Sequence, residues 1–306
     1  MGLIKVARPV HWVKNLALFA ALIFSGTLFI PSYFLSVVMA FAAFSMITSA
    51  TYIFNDIMDA DEDRLHPIKN SRPIASGVVG VKIALLEAVL FILGSLWIAI
   101  GLSPLFFALV LTYFLLQILY SLKLKKLAVI DILIIASGFI IRVYAGAVVI
   151  NAHLSVWFLL CVVSVALFLA AGKRRSEYNI VKKTEVVTRK SLKKYSRELL
   201  NSYVTMFGNA AWMSWALFTF FESPSVPQDL WLILAELSKT TTISKLLMST
   251  IPVVIFGIMR YQSLIFEGKS EAPEKILLTD VSLVASVVLW LVMVVGILYG
   301  TNPWSI

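Results

Sequence analysis

Apolar segments long enough to cross a lipid bilayer follow one another along most of this chain. A membrane-spanning helix needs about 17–25 mostly apolar residues, and the sequence contains nine such segments. They cover approximately residues 15–31, 34–54, 83–101, 103–120, 130–150, 154–172, 203–221, 246–264 and 281–300. Because unpaired backbone polar groups are too costly in lipid, each segment is expected to be helical. We therefore predict an all-α integral membrane protein with nine transmembrane helices, forming a single domain over residues 1–306.

Lysine and arginine are concentrated in every second connection between these segments. The connections after the first, third and fifth segments contain none, whereas ten of the 26 lie between residues 173 and 197. By the positive-inside rule, the N-terminus and the basic connections face the cytoplasm and the C-terminus lies outside. This distribution accounts for the net charge of +9 without a nucleic-acid partner. The expected location is the cell membrane, as a multipass protein.

The longest polar segment runs from Lys173 to Ser202. It is predicted to form one or two surface helices. Its basic residues are suited either to anionic lipid headgroups or to a phosphate-bearing substrate. The sequence leaves these two alternatives open.

Carboxylates crowd the end of the second apolar segment. On a helix, Asp56, Asp59 and Asp63 fall at positions i, i+3 and i+7 and share one face, with Asn55 beside Asp59. Such a face could hold Mg²⁺, which binds through one or two carboxylates and usually also holds substrate phosphates. Basic residues follow within about ten positions, where they could contact the same phosphates: Arg64, His66, Lys69 and Arg72. The pattern indicates an enzyme that acts on a phosphorylated donor at a membrane surface.

A second group of polar residues surrounds the fifth apolar segment. Tyr120 and Lys125 precede the segment, Asp131 begins it, and Arg142 lies inside it. An arginine within a membrane span is costly and marks a functional site by default. Since 11 residues return to the same helix face, we expect Asp131 and Arg142 to line one polar cavity. The alternative is a structural arginine bonded to backbone carbonyls.

Lys14 and Asn15 lie where the first apolar segment begins. Together with Trp12 and the basic residues before it, they are typical of an anchor at the membrane interface. Both side chains could also reach a phosphate group of a substrate.

The run Asn55-Asp56-x-x-Asp59-x-x-x-Asp63 resembles the first aspartate-rich motif of the UbiA-type intramembrane transferases. The resemblance continues through Arg64-x-x-Pro67-x-Lys69-x-x-Arg72-Pro73. It implies nine transmembrane helices around a central polar cavity that opens to the cytoplasm and to lipid. It also implies Mg²⁺-dependent transfer in which diphosphate leaves.

The second motif differs from that of the prenyl-transferring members, which have two aspartates four residues apart. Here Ile135 stands four residues after Asp131. The stretch from Tyr120 to Arg142 is instead similar to the decaprenyl-phosphate phosphoribosyltransferase branch. Further similarities to this branch are Arg8-Pro-x-x-Trp12-x-Lys14-Asn15, Gly172-Lys173-Arg174 and Arg260-Tyr261…Pro273-Glu274…Asp280. In that branch the donor is phosphoribosyl diphosphate and the acceptor is a polyprenyl phosphate.

The resemblance leads us to expect a phosphoribosyltransferase that makes a cell wall precursor. The expected metal ligands are Asp56, Asp59, Asp63 and Asp131. The expected catalytic residues are Asp59, Asp63, Lys69 and Arg72. The expected substrate-binding residues are Lys14, Asn15, Asn55, Tyr120, Lys125 and Arg142.

Two other functions remain open from the sequence. One is a prenyltransferase of the same fold, which the single aspartate of the second motif disfavours. The other is a multipass transporter or lipid flippase, which the concentration of ionisable residues at the cytoplasmic face disfavours. The length of the lipid tail and the oligomeric state, including a homo-oligomer, are also left open.

Overall fold

The computed structural model describes residues 2–65, 69–184, 190–222, 243–267 and 279–300, and the regular elements within these ranges are all helices. The α-helices are α1 (Gly2–Ala7), α2 (Phe19–Phe24), α3 (Pro31–Met58), α4 (Ala60–Arg64), α5 (Val81–Leu102), α6 (Pro104–Leu122), α7 (Ile130–Val149), α8 (Val156–Thr184), α9 (Arg197–Phe221), α10 (Ile251–Glu267) and α11 (Val281–Tyr299). Short 3₁₀ helices cover Pro9–Leu18, Lys69–Ser71, Leu124–Lys126, Lys190–Lys194 and Ile243–Thr250. The prediction of an all-α chain is confirmed for these ranges.

Seven helices in the described ranges are long and apolar enough to cross a membrane. They coincide with seven of the nine predicted segments. The first predicted segment overlaps in part the shorter apolar helix Pro9–Phe24, which is 3₁₀-helical as far as Leu18. The seventh lies on α9, which has 25 residues but is not among these seven helices. A multipass membrane protein is therefore supported, while the full count of nine spans stays a prediction.

The chain divides into two compact units, and the prediction of a single domain stays a prediction. Unit 1 comprises Met1–Leu22, Ile30–Lys125 and Ile141–Ala152. Within it, α3 packs against α5 and α6. The face of α5 that packs on α3 carries small buried residues, including Ala84, Ala88, Ser95 and Ala99, which let two helix backbones approach closely. Ser95 Oγ donates a hydrogen bond to the Ala43 carbonyl at 2.8 Å.

The N-terminal segment of unit 1 lies along α3 and runs in the opposite direction. Ser49 of α3 donates to the Ala7 carbonyl at 2.7 Å and accepts from Trp12 Nε1 at 3.0 Å. One turn earlier on α3, Ser45 accepts from Asn15 Nδ2 at 3.1 Å. These bonds set the register of residues 7–15 on α3, and they place the basic side chains of this segment near the end of the helix.

Unit 2 comprises Ile23–Phe29, Lys126–Ile140 and His153–Ile306. Within it, α8 packs extensively on α9, and α10 packs on α11. One apolar core contains Phe168, Val204, Tyr261 and Leu283. Gly172 packs closely on this core, since an added Cβ would lie 2.6 Å from Ile265 Cδ1 and would force that side chain to shift.

The basic segment Lys173–Ser202 differs from the predicted surface helices. Its first part is a continuation of α8 to Thr184, and the described remainder is the 3₁₀ helix Lys190–Lys194 followed by the start of α9. Arg174 and Arg175 are fully buried, because Arg174 pairs with Asp131 and Arg175 donates to Asn201. These two arginines therefore stabilise the interior of unit 2, where the sequence predicted a surface.

Gly146 of α7 gives a test of the packing in unit 1. A Cβ at this position would overlap the carbonyl oxygen of Leu18, whereas a Cβ at Gly296 of α11 would meet no neighbour within 4 Å. We expect Gly146→Ala to destabilise the protein by about 1–3 kcal/mol, as overpacking does. Gly296→Ala, the matched control, should leave stability unchanged or raise it slightly. Thermal unfolding in detergent measures both, and equal midpoints for the two variants would contradict this packing.

Candidate active site

The predicted carboxylates lie where α3 ends and α4 begins. Asp59 stands at the break between the helices, with φ −94° and ψ 2°, while helical hydrogen bonds continue across it from Asp59 N to Asn55 O and from Asp63 N to Asp59 O. The three side chains that the sequence placed on one face differ in their burial and in their partners. Asp56 and Asp63 are almost fully buried, whereas the Asp59 side chain is 24% exposed. The predicted common face is therefore kept for Asp56 and Asp63, and Asp59 has different partners.

Asp56 and Asp63 converge on one guanidinium group. Arg72 Nη1 donates to Asp56 Oδ1 at 3.1 Å and to Asp63 Oδ2 at 2.5 Å. Lys69 Nζ lies 3.9 Å from Asp63 Oδ1. Arg8 Nη2 donates to both Asp56 oxygens, at 2.6 and 2.8 Å. Two buried carboxylates are thus surrounded by three cations, of which Arg8 comes from a distant part of the sequence.

Asp59 is held by two other predicted residues. Its Oδ1 accepts from Lys125 Nζ at 2.8 Å, and its Oδ2 accepts from Asn55 Nδ2 at 3.0 Å. Asn55 is one helical turn before Asp59, but Lys125 is 66 residues away along the chain. The structure therefore brings Asn55, Lys69, Arg72 and Lys125 to the three aspartates, as the predicted site requires.

The arrangement is compatible with a bound Mg²⁺ ion. Asp56 and Asp63 both reach a single nitrogen of Arg72, so oxygens of both carboxylates could serve one cation. Hard carboxylate oxygens suit Mg²⁺, which usually takes one or two of them and fills its other positions with water and phosphate oxygens. Within the described ranges no group of three or more Asp, Glu, His or Cys side chains is placed to hold a metal ion by itself. The site therefore fits a metal ion whose remaining coordination positions are filled by a bound substrate and water.

Tyr52 adds an aromatic surface next to the carboxylates, one helical turn before Asp56. The His11 ring stacks on it at 4.7 Å between centroids, and the Arg8 guanidinium lies 5.2 Å from its centroid. Lys14 Nζ donates to the Tyr52 hydroxyl at 3.3 Å. Tyr52 and Arg8 were missed as site residues from sequence. The spacing of Tyr52 four positions before Asp56 was the available signal for the tyrosine.

Arg142 and Asn15 belong to a buried polar network in unit 1. Arg142 Nε donates to Asn15 Oδ1 at 2.6 Å, and Arg142 Nη2 donates to the Tyr113 hydroxyl at 2.8 Å. The guanidinium carbon also lies 4.7 Å from the Tyr113 ring centroid. Because Asn15 is bonded to Ser45, the network extends to α3. Tyr113 and Ser45 are partners that the sequence did not identify.

The remaining predicted residues lie elsewhere. Asp131 belongs to unit 2, where its carboxylate contacts Arg174, Ser191 and Tyr195. Its shared cavity with Arg142 stays a prediction. Tyr120 is partly buried near the end of α6. His66 and Pro67, and residues 273 and 274 of the resemblance, lie outside the described residues.

Residues 16–225 match the model of the UbiA prenyltransferase family, and the chain belongs to this family. The resemblance found in the aspartate-rich motif is thereby confirmed. Among curated proteins, the decaprenyl-phosphate phosphoribosyltransferase of Corynebacterium glutamicum is 34% identical over 97% of this chain and 87% of its own length. The protein of the same name from Mycobacterium tuberculosis is 37% identical over 72% of this chain and 74% of its own length. Both carry the name of the branch that the sequence motifs indicated.

Solved structures show the same fold at low sequence identity. A UbiA homolog from Archaeoglobus fulgidus, solved bound to GPP and Mg²⁺, superposes with a TM-score of 0.68 at 17% identity and covers 96% of this chain and 97% of its own. A structure of digeranylgeranylglyceryl phosphate synthase gives a TM-score of 0.61 at 17% identity, covering 96% of each chain. These likenesses establish a UbiA-like fold.

The Arg142 network predicts a specific loss of stability. Tyr113→Phe removes the hydroxyl that accepts from Arg142, and loss of one partner of a buried charged group costs about 1–3 kcal/mol or more. Tyr144→Phe is the control, because Tyr144 is on the same helix as Arg142 but is 47% exposed. We expect a lower thermal midpoint for Tyr113→Phe alone. A midpoint equal to that of Tyr144→Phe would show that the hydroxyl does not support Arg142.

Proposed function

We propose that this chain transfers a 5-phosphoribosyl group from phosphoribosyl diphosphate to a polyprenyl phosphate, with Mg²⁺ and with release of diphosphate. The observation that carries the proposal is the meeting of three aspartates with Arg8, Lys69, Arg72 and Lys125. Such a site offers carboxylates to a metal and cations to several phosphates. Relatives at 34–37% identity bear the name decaprenyl-phosphate phosphoribosyltransferase, which supports this choice of substrates.

Asp56 and Asp63 are the proposed principal ligands of Mg²⁺, with Asp59 beside them. The bound ion would neutralise negative charge on the donor diphosphate and stabilise it as a leaving group. Asn55 holds one oxygen of Asp59 at 3.0 Å and so orients this carboxylate. Asp59 and Asp63 thus keep the catalytic role expected from the sequence.

Arg72 and Lys69 are proposed to contact the leaving diphosphate. In the transfer, the bond between ribose C1 and the diphosphate oxygen breaks, and the electron pair leaves with the diphosphate. Fixed cations near that oxygen are effective because negative charge grows there in the transition state. Arg8, whose guanidinium lies on Asp56, is positioned to contribute to the same charge compensation.

The acceptor oxygen forms the new bond to ribose C1. A phosphate monoester is already anionic, so the attack requires no strong general base. Basic and polar side chains predicted to bind substrate phosphates or sugar are available in unit 1: Lys14, Asn15, Tyr120, Lys125 and Arg142. The product is a polyprenyl-phosphoryl ribose 5-phosphate, whose apolar tail would stay in the bilayer.

The positive-inside rule supports the orientation of the site. The basic connection between α3 and α5 carries Lys69 and Arg72, so we place it and the N-terminus in the cytoplasm, with the C-terminus outside. A soluble phosphorylated donor is then available to the aspartates. The expected setting is the cell membrane, with the active site facing the cytoplasm.

The decisive assay supplies the purified protein with radiolabelled phosphoribosyl diphosphate, a polyprenyl phosphate and Mg²⁺. We expect label in a lipid-soluble product and release of diphosphate. A parallel reaction contains a prenyl diphosphate and an aromatic acceptor. Transfer in the parallel reaction alone would replace the proposal by a prenyltransferase of the same fold. If neither reaction shows turnover, the transporter or flippase hypothesis would replace the proposal.

Neighbouring aspartates provide a matched test of the metal ligands. Asp56→Asn, Asp59→Asn and Asp63→Asn should each reduce Mg²⁺-dependent transfer by more than the roughly 10- to 100-fold that outer-shell changes cause. Asp61→Asn should remain close to wild type, because the Asp61 side chain is 94% exposed and pairs with Arg64 at the surface. Initial rates over a Mg²⁺ titration measure the effect. Near wild-type turnover of Asp56→Asn or Asp63→Asn would refute the ligand assignment.

A further inference from the structure

The carboxylate of Asp131 is enclosed by protein donors. Tyr195 Oη donates to Oδ1 at 2.7 Å, and Ser191 Oγ donates to Oδ2 at 3.1 Å. Arg174 Nε lies 3.1 Å from the same Oδ2, and the side chains of Asp131 and Arg174 are both 0% exposed. The guanidinium of Arg174 is in turn bonded to Glu177. Both oxygens of Asp131 are therefore used within unit 2.

Tyr195 connects Asp131 to a strained turn. Its hydroxyl accepts a hydrogen bond from the Val129 backbone N–H at 2.6 Å while it donates to Asp131. Val129 has φ 69°, a conformation that is costly for a β-branched residue and persists only when surrounding contacts impose it. Burial raises the pKa of the Tyr195 hydroxyl, and the bond to Asp131 raises it further. The hydroxyl therefore keeps its proton for this bond at neutral pH.

The strained turn is also held by apolar packing. Tyr195 and Leu192 are buried in a core with Ile132, Ala136 and Leu200. The polar contacts of Asp131 thus join the start of α7 to the chain segment around the 3₁₀ helix Lys190–Lys194.

We propose that Asp131 is a positioning residue, the anchor of a latch that holds the turn before α7, and not a metal ligand. The latch consists of Asp131, Arg174, Ser191 and Tyr195. Asp131 and its cation Arg174 are both 0% exposed, which leaves no room for the several waters that a bound Mg²⁺ keeps. The cations on Asp56 and Asp63 are 19–32% exposed and can move aside for a metal. The proposal revises the assignment that the sequence motif indicated.

The latch is also connected to the candidate active site along the backbone. The catalytic effect described next rests on the proposed function. Lys125 precedes Val129 by four residues and binds Asp59 at 2.8 Å. A turn fixed at Val129 restricts the conformations available to the residues just before it. Loss of the latch should therefore loosen Lys125 and raise the KM for the donor, without changing the metal ligands.

A charge-removal cycle tests the latch without any assay of activity. Removing one member of a buried ion pair leaves an uncompensated charge, whereas removing both is much less costly. We expect Asp131→Asn and Arg174→Gln each to lower the thermal midpoint by several degrees, and the double variant to recover much of the loss. Ser137→Ala, on the same helix, is the control. Additive losses in the double variant would show that the two charges do not stabilise each other and would overturn the latch.

Metal binding distinguishes the latch from a role of Asp131 as a metal ligand. Mn²⁺ binding in the presence of inorganic diphosphate, followed by electron paramagnetic resonance, should weaken about tenfold or more in Asp63→Asn. It should change less than about twofold in Asp131→Asn and in the milder variant Tyr195→Phe. Weakening in Asp131→Asn equal to that in Asp63→Asn, with Tyr195→Phe unaffected, would restore Asp131 as a ligand.

Kinetics of Tyr195→Phe then test the positioning role. We expect a several-fold higher KM for phosphoribosyl diphosphate with a smaller change in kcat, and an unchanged Mg²⁺ requirement. An unchanged KM would confine the latch to stability and refute the positioning role. If wild-type protein transfers no phosphoribosyl group, the proposed function fails, while the charge-removal cycle still decides whether the latch exists.

Discussion

The charge of Asp56, buried at the end of an apolar helix, constrains much of unit 1. A carboxylate in such a position must be paired or it destabilises the fold. Arg8 reaches it from the N-terminal segment, and Arg72 reaches it from the connection after α4. The need to compensate one charge therefore holds two separate segments against the end of α3. The same contacts gather the cations that a diphosphate substrate needs.

In both units a buried arginine needs partners that compensate its charge, but the partners differ. Arg142 is satisfied by the amide of Asn15 and the hydroxyl of Tyr113. Arg174 forms ion pairs with the carboxylates of Asp131 and Glu177. In the first arrangement the guanidinium contacts an amide and a hydroxyl that come from two other helices. The second neutralises its charges internally, which suits a structural role.

Members of the UbiA family share a fold, but the charged residues at the site can differ from one member to another. The fold is shared with a homolog from Archaeoglobus fulgidus at only 17% identity, because a membrane fold depends on apolar faces and small packing residues that many sequences supply. The chemistry depends on a few charged side chains. In this chain Ile135 stands where a second aspartate of the second motif would be expected, and Arg174 lies on the first. A protein cation thus takes the carboxylate that a two-motif site would offer to metal.

The sequence by itself determined the helical membrane class, the aspartate-rich motif and the family. Hydrophobic length and the spacing of Asp56, Asp59 and Asp63 are local properties, so they can be read along the chain. Only the tertiary structure decided which cation meets which carboxylate, because Lys125 and Asp59 or Arg8 and Asp56 are separated by 66 and 48 residues. It also decided that helix α3 breaks at Asp59 and that Arg174 turns inward to Asp131. Long-range pairing of charges depends on how helices pack, and a pattern along one segment does not contain that information.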